Sequence, residues 1–286
     1  MMFIGLMEID VRNRKTKNEI RKRQALTYLD LGEIYLAMKE SSLASASFNK
    51  ALELSPDLIA ASLGIALADV EAHGLVGAAE KYMIRDKRIP DLAHALVRIG
   101  CRFMEHENYD KAMEAFKLAV KNGNHDWYAH HNMGTCLYNT GNLLEAITEY
   151  EKAAELNDSC PDTLQNLAHL YESFERTKEA IQTYKLILKK FHDVRVYSKL
   201  AALHTTREQY HQGIKMGQIA ILLNPNDLIA YMALGYSYLQ LKRYDEAKKW
   251  LRQASWLAPD QSPPYTLLAT AYQETGDHET SEYFRK

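Results

Sequence analysis

The chain has 286 residues and a formal net charge of −2 at pH 7. This balance argues against a general nucleic-acid-binding protein, which would carry a basic excess. Three cysteines, Cys101, Cys136 and Cys160, show no paired spacing, which indicates a reducing compartment.

The first 24 residues predict an extension that precedes the rest of the fold. Residues 1–9 are apolar but shorter than the roughly 20 residues of a membrane span, and they lack the basic start of a secretory signal. We therefore expect no integral membrane segment or lipid-bearing cysteine, and a cytoplasmic location. Residues 12–23 carry seven Lys or Arg against Glu19. We interpret them as a solvated helix that caps the fold, with an anionic partner or a membrane surface as the alternative.

From residue 25 onward, single residue types recur at a constant interval of 34 residues. The recurring residues are Ala44, Ala78, Ala112, Ala146 and Ala180, and the aromatic Phe48, Tyr82, Phe116, Tyr150 and Tyr184. The interval from Gly134 to Gly235 is one residue short of three periods, and that from Pro90 to Pro225 is one short of four. One residue is therefore missing, and the shortened interval between Ala180 and Gly213 places the deletion near residues 190–193.

The clearest unit, Trp127 to Asp158, predicts two amphipathic helices split at residues 139–142. We expect Gly134 and Ala146 to face each other where the helices cross most closely. This unit resembles the tetratricopeptide repeat (TPR), a helix–turn–helix motif of about 34 residues, which is also the interval seen here. With Trp127 as position 1, the signature positions of that family hold His130, Met133, Gly134, Leu137, Ala146, Tyr150, Ala153 and Asp158.

The resemblance implies an all-α, right-handed superhelical solenoid of about eight helix–turn–helix repeats, the last incomplete. The predicted domains are the extension 1–24 and the array 25–286, with repeats at 25–58, 59–92, 93–126, 127–160, 161–193, 194–227, 228–261 and 262–286. Repeat 6 departs most, since Gly213 and Gly217 stand where Ala and an aromatic residue are usual. Each glycine weakens a helix by about 1 kcal/mol relative to Ala. We therefore expect residues 204–220 to be the least stable part. Gly213→Ala should stabilise the chain by roughly 0.5–1 kcal/mol if the helix accepts the added methyl group.

The resemblance also implies where a partner binds, because the first helices of TPR arrays line a concave groove. The predicted peptide-binding residues are His94, Arg98, Tyr128, His131, Asn132, Asp162, Asn166, His169, Arg195, Lys199, Met232 and Tyr236. This mixture of polar donors and apolar side chains suits an extended and possibly acidic peptide or protein partner. Arg195 and Lys199 lie four residues apart, on one predicted helix face, and are the expected contacts to acidic groups.

Three other functions are open to such an array. Co-chaperone TPR domains hold a peptide's C-terminal carboxylates, and Asn166, Arg195 and Lys199 match three of their five clamp positions, whereas His131 and Thr135 depart from it. A second alternative is an adaptor in a bacterial cell-envelope or pilus assembly complex. A third is the substrate-presenting part of a larger enzyme such as an O-GlcNAc-transferase-like protein.

The sequence shows no catalytic motif and no metal-binding spacing. The sequence places His125, His130 and His131 near Asp126. A metal site on a helix requires a further His or Cys at helical spacing, and this cluster does not provide one. Glycine-rich phosphate loops and Gly-x-Ser-x-Gly elbows are also absent from the sequence. We therefore predict a non-enzymatic protein-interaction scaffold that requires no cofactor or metal.

Overall fold

The computed structural model describes residues 2–123 and 127–284, with side chains described from residue 17 onward. These residues form fifteen α-helices and no strand, which confirms the all-α prediction. The chain divides into two compact units, Met1–Leu156 and Asn157–Lys286. The first unit contains α1 Met2–Ala37, α2 Ser41–Leu54, α3 Ile59–Arg85, α4 Leu92–Glu105, α5 Tyr109–Lys121, α6 Trp127–Asn139 and α7 Leu143–Leu156. The second contains α8 Pro161–Ser173, α9 Thr177–Phe191, α10 Val196–Thr206, α11 Tyr210–Leu223, α12 Leu228–Gln240, α13 Tyr244–Leu257, α14 Ser262–Glu274 and α15 His278–Tyr283.

The helices pair as the repeats predict, each pair consisting of a first and a second helix. The second helices α5, α7 and α9 begin exactly one sequence period apart, as do α11, α13 and α15. The step from the start of α9 at Thr177 to the start of α11 at Tyr210 is one residue shorter. The single missing residue therefore lies between these helices, where α9 ends on His192 with a left-handed backbone of φ 53°.

The turn inside the helix pairs has a recurring backbone geometry. One residue adopts a positive φ in seven of these turns, at Lys39, Glu107, Gly141, Glu175, Glu208, Lys242 and Gly276. The next residue then donates its backbone N–H back to the first helix, as Asn108 does to the carbonyl of Phe103 at 2.8 Å. This is the Schellman motif, which satisfies carbonyl groups that the helix end would leave unpaired.

Helix α3 contains both helices of repeat 2. Gly74 interrupts it with a non-helical backbone of φ 65° and ψ 174°. Among the described helices, α3 has the length and apolar composition to cross a membrane. However, the break leaves two segments that are each shorter than the roughly 20 residues of a span. Twelve of its residues, including Ile65 and Tyr82, are buried in the repeat core.

The recurring alanines and aromatic residues form the core of the first unit. Ala112 and Ala146 are fully buried, as are the rings of Phe116 and Tyr150. A Cβ placed on Gly134 would lie 2.9 Å from the ring of Tyr150. Gly134 therefore makes room for the aromatic ring of its own repeat, and its contact with Ala146 stays a prediction.

Repeat 6 is tightly packed at Gly213, so the condition for stabilisation by Gly213→Ala, room for a methyl group, is not met. A Cβ on Gly213 would overlap the hydroxyl oxygen of Thr205 in α10 and lie 3.1 Å from that of Ser237 in α12. These two buried hydroxyl groups are hydrogen-bonded to each other at 2.8 Å. A Cβ on Gly217 would lie 2.9 Å from Leu234 Cγ. The two glycines thus allow α11 to approach both neighbouring first helices.

At the N-terminus, α1 passes through the predicted boundary at residue 24 without a turn. Residues 17–24 are exposed, and the first buried residue is Ala25. The described part of the extension is therefore a solvated continuation of the first helix of repeat 1.

Candidate functional site

In the first unit, the predicted binding residues lie on the first helices α4 and α6. Arg98 in α4 is exposed. In α6, Tyr128 is 41% exposed, and its ring stacks on His131 with 6.4 Å between centroids. Trp127 meets both rings edge-on. The first turns of α6 thus present an aromatic surface.

Asn132 and His94 have contacts within the fold. Asn132 is buried, and its side-chain amide donates to the backbone carbonyl of Tyr128 at 2.9 Å and to Cys101 Sγ at 3.7 Å. Asp91 caps α4 by accepting a hydrogen bond from the backbone N–H of His94, and His94 Nδ1 lies 2.8 Å from the same oxygen. Asn132 is therefore turned inward, whereas His94 orders the start of its helix.

A polar bridge links repeats 1 and 3, and sequence reasoning missed it. Glu33 in α1 bonds to the guanidinium group of Arg102 in α4, and His106 Nε2 lies 3.2 Å from the other carboxylate oxygen. Arg102 also pairs with Glu105. Burial alone would lower the pKa of Arg102, but the hydrogen bonds and charges of Glu105 and Glu33 raise it. The repeat pattern does not predict this bridge, because Glu33 and Arg102 are 69 residues apart in sequence and belong to repeats 1 and 3, with repeat 2 between them.

Beside this bridge, a cavity of about 340 Å³ opens between the first three repeats. Apolar and basic side chains line it, chiefly Leu36, Leu67, Phe103, Lys39, His106 and Lys111. Lys111 Nζ lies 5.5 Å from the centroid of the Phe103 ring. The carboxylate in this lining, Glu71, accepts a hydrogen bond from the hydroxyl of Ser41 at 2.7 Å. Such a cavity suits an apolar side chain that carries, or lies beside, a negative charge.

In the second unit, the predicted residues follow the first helices α8 and α12. Asp162 and His169 on α8 are exposed, and Asn166 between them is half-buried. Tyr236 on α12 is exposed, and Met232 one turn earlier is half-buried. The face formed by the first helices of this unit therefore offers polar and apolar side chains in succession.

Arg195 and Lys199, the predicted contacts to acidic groups, each pair with a carboxylate of the fold. Arg195 lies one residue before α10, and its side chain is 79% exposed. Its guanidinium group donates to both carboxylate oxygens of Asp193, from Nε at 3.0 Å and from Nη2 at 2.8 Å. Lys199 lies on α10, with Nζ 3.4 Å from Glu172 Oε2. Each cation already has a carboxylate partner, and this reduces the charge it offers to a ligand.

The described residues contain no group of three or more His, Cys, Asp or Glu side chains that could hold a metal ion. His130 Nδ1 instead lies 2.7 Å from Glu149 Oε2. His125 and Asp126 are outside the described residues. Burial raises the pKa of Cys136 to about 12, so this thiol is not a ready nucleophile.

Paired helices that pack in series at a constant sequence period define a helical-repeat protein. The chain is a tetratricopeptide repeat protein. Models described as tetratricopeptide repeats match residues 25–58, 127–160, 163–190 and 228–261. Three of these four stretches have the predicted repeat boundaries. Proteins of this family are generally non-catalytic scaffolds.

Curated relatives are distant and longer than this chain. Anaphase-promoting complex subunit CDC16 of Saccharomyces cerevisiae is 22% identical over 262 residues, covering 88% of this chain and 27% of that protein. Superkiller protein 3 of Schizosaccharomyces pombe is 24% identical over 201 residues, covering 66% of this chain and 14% of that protein. The chain thus spans well under half the length of these relatives.

Similar solved structures support the fold. The C-terminal part of a TPR repeat-containing protein from Cytophaga hutchinsonii has a TM-score of 0.57 at 15% identity, covering 84% of this chain and 99% of that one. YrrB, described as a TPR protein with an unusual peptide-binding site, has a TM-score of 0.50 at 22% identity, covering 60% of this chain and 89% of that one. At these identities the likeness shows the TPR solenoid fold alone.

Proposed function

We propose that this chain is a non-catalytic scaffold that binds an extended peptide or a segment of a partner protein on its first helices and the turns that follow them, up to the start of the next helix. The observation that carries the proposal is the cavity between repeats 1, 2 and 3. Concave sites with an apolar lining and a few convergent polar groups are the usual ligand sites of proteins. The peptide-binding site named for YrrB supports the same kind of ligand.

In the first unit, the partner would insert one side chain into this cavity. Leu36, Leu67 and Phe103 would contact its apolar part, and Lys39 and Lys111 would bind a neighbouring carboxylate. Charge-assisted hydrogen bonds contribute about 1.5–3 kcal/mol each, more than neutral ones. Farther along the array, the exposed side chains of Arg98 and Tyr128 would contact a peptide backbone.

In the second unit, the proposed contacts are His169, Arg195, Lys199 and Tyr236. The acidic character of the partner stays a prediction, because Lys199 and Arg195 already have carboxylate partners. The cell-envelope and larger-enzyme alternatives also stay predictions, as does the cytoplasmic location.

A peptide selected from a random library by the full chain would test the proposal. Calorimetry should show binding that Lys39→Ala/Lys111→Ala weakens by about tenfold or more, since each lost charged contact removes roughly 1.5–3 kcal/mol before solvent screening. Arg195→Ala/Lys199→Ala tests the second unit in the same titration. The matched control is Lys117→Ala/Lys121→Ala, two exposed lysines on the second helix α5. Failure to select any peptide, or equal losses in the control, would reject the proposed site.

A further inference from the structure

The second unit concentrates its basic residues on three of its second helices. These helices, α9, α11 and α13, carry eight Lys or Arg and three Asp or Glu, and the short last second helix α15 carries two Glu and no Lys or Arg. The first helices α8, α10, α12 and α14 carry one Lys and three Asp or Glu. All three acidic residues of α9, α11 and α13 lie in first turns, at Glu179, Asp245 and Glu246. An acidic first turn is ordinary pairing with the helix dipole. Beyond it, these three helices present basic side chains without carboxylates.

Large apolar side chains lie exposed on the same helices. Leu222 in α11 is 81% exposed and Trp256 in α13 is 75% exposed. These two residues are one repeat period apart and so occupy equivalent positions in successive repeats. Leu223, next to Leu222, is also among the exposed large hydrophobic residues. Burial in the repeat core therefore does not account for any of the three.

The basic side chains fall on the same helix faces as these apolar ones. Lys215 precedes Leu222 by seven residues, and Lys249 precedes Trp256 by seven, so each pair shares a face two turns apart. Both lysines are exposed, and they too occupy equivalent positions in successive repeats. Lys249 Nζ lies 4.7 Å from the Trp250 ring centroid, and Arg252 donates to the hydroxyl of Tyr272, so neither cation is neutralised by a carboxylate in these contacts.

From this arrangement we infer that the second-helix face of α11 and α13 is a docking surface for an anionic lipid membrane. The surface consists of Lys215, Leu222, Leu223, Lys249, Arg252 and Trp256. Trp and Leu enter the boundary between headgroups and acyl chains, while Lys and Arg keep their charged ends at the anionic headgroups. Exposed Lys185 and Lys189 on α9 extend the basic surface to the preceding repeat.

Charge complementarity favours an anionic occupant, and the exposed apolar side chains favour lipid over a purely acidic surface. Acidic groups alone would pair with the lysines but would leave Leu222 and Trp256 in water. A membrane surface matches both features, since each Lys or Arg near anionic lipid contributes a factor of about five in affinity. The peptide-binding proposal uses none of these residues and does not depend on this inference.

The test is binding of the full chain to sedimented vesicles of phosphatidylcholine, with or without about one third phosphatidylserine. We expect binding to the anionic vesicles only, weakened as salt rises. Lys215→Glu/Lys249→Glu should weaken it by at least about 25-fold, from two lost basic contacts. Leu222→Ala/Trp256→Ala should weaken it by about tenfold, because the apolar contact is lost.

The matched control is Lys117→Glu/Lys121→Glu, which makes the same change in net charge on the first unit. The control should bind the vesicles like the unmodified chain, and circular dichroism should show equal helicity in all variants. Equal losses in the control, or no binding to anionic vesicles, would overturn the inference. Binding to polyglutamate that Leu222→Ala/Trp256→Ala leaves unchanged, together with no vesicle binding, would assign the surface to an acidic protein instead.

Discussion

At the scale of single residues, the repeated turns require a left-handed backbone conformation, and most of them place a residue there that adopts it only at a cost in free energy. Five of the seven left-handed turn positions carry Lys or Glu, and only two carry Gly. A side chain in this conformation costs roughly 1–2 kcal/mol, whereas glycine adopts it freely. Glu107, Glu175 and Lys242 are exposed, so their side chains are not needed for packing.

Replacing Glu107 by Gly should therefore stabilise the chain. The relief of backbone strain exceeds the greater entropy of glycine in the unfolded chain, for a net gain of about 0.5–1 kcal/mol. Urea denaturation followed by circular dichroism measures the change.

The matched control is Glu114→Gly, the same substitution at an exposed position inside helix α5. It should destabilise by about 1 kcal/mol, because glycine is a poor helix former. A loss of stability in both variants would show that the left-handed turn is not strained by its glutamate.

At the scale of helices, we expect Gly213 and Gly217 to stabilise the packing of α11, the opposite of what their low helix propensity predicts. Gly213→Ala should destabilise by about 1–3 kcal/mol, because the added methyl group overlaps Thr205 and approaches Ser237. Thermal melting monitored by circular dichroism would show the lower midpoint.

Two further measurements separate this packing effect from helix propensity. In Thr205→Ala the obstructing hydroxyl is absent, so adding Gly213→Ala should cost less there than in the unmodified chain. Hydrogen exchange at residues 204–220 should be as slow as in α12, since α11 packs against it. If Gly213→Ala raises the melting midpoint, the close packing of α10, α11 and α12 is not what limits this site.

At the scale of the whole molecule, the second unit assigns different chemistry to its two sets of helices. Its first helices carry the proposed peptide contacts, and its second helices carry the cationic and apolar surface. Arg195→Ala/Lys199→Ala should therefore change peptide affinity and leave vesicle binding within about twofold, since the sites share no residue. Lys215→Glu/Lys249→Glu should do the reverse. Calorimetry and vesicle sedimentation on the same two variants check this, and loss of both activities in either variant would contradict separate surfaces.

The sequence by itself determined the repeat architecture of this protein. Local spacing reports local packing, so Ala112, Phe116 and their equivalents in the other repeats predicted the paired helices and their core. Even the missing residue between α9 and α11 was visible, because glycines and prolines on both sides shifted together.

Only the tertiary structure decided which side chains are available and which glycines are tolerated. Asn132 is turned inward, Arg195 binds Asp193, and Glu33 reaches Arg102 across an intervening repeat. Likewise, the sequence predicts that Gly213 lowers the stability of α11, whereas in the fold it lies where α11 closely approaches its neighbouring helices. Each of these contacts depends on a residue that folding brings close or on the path of a loop. The repeat period specifies neither of these.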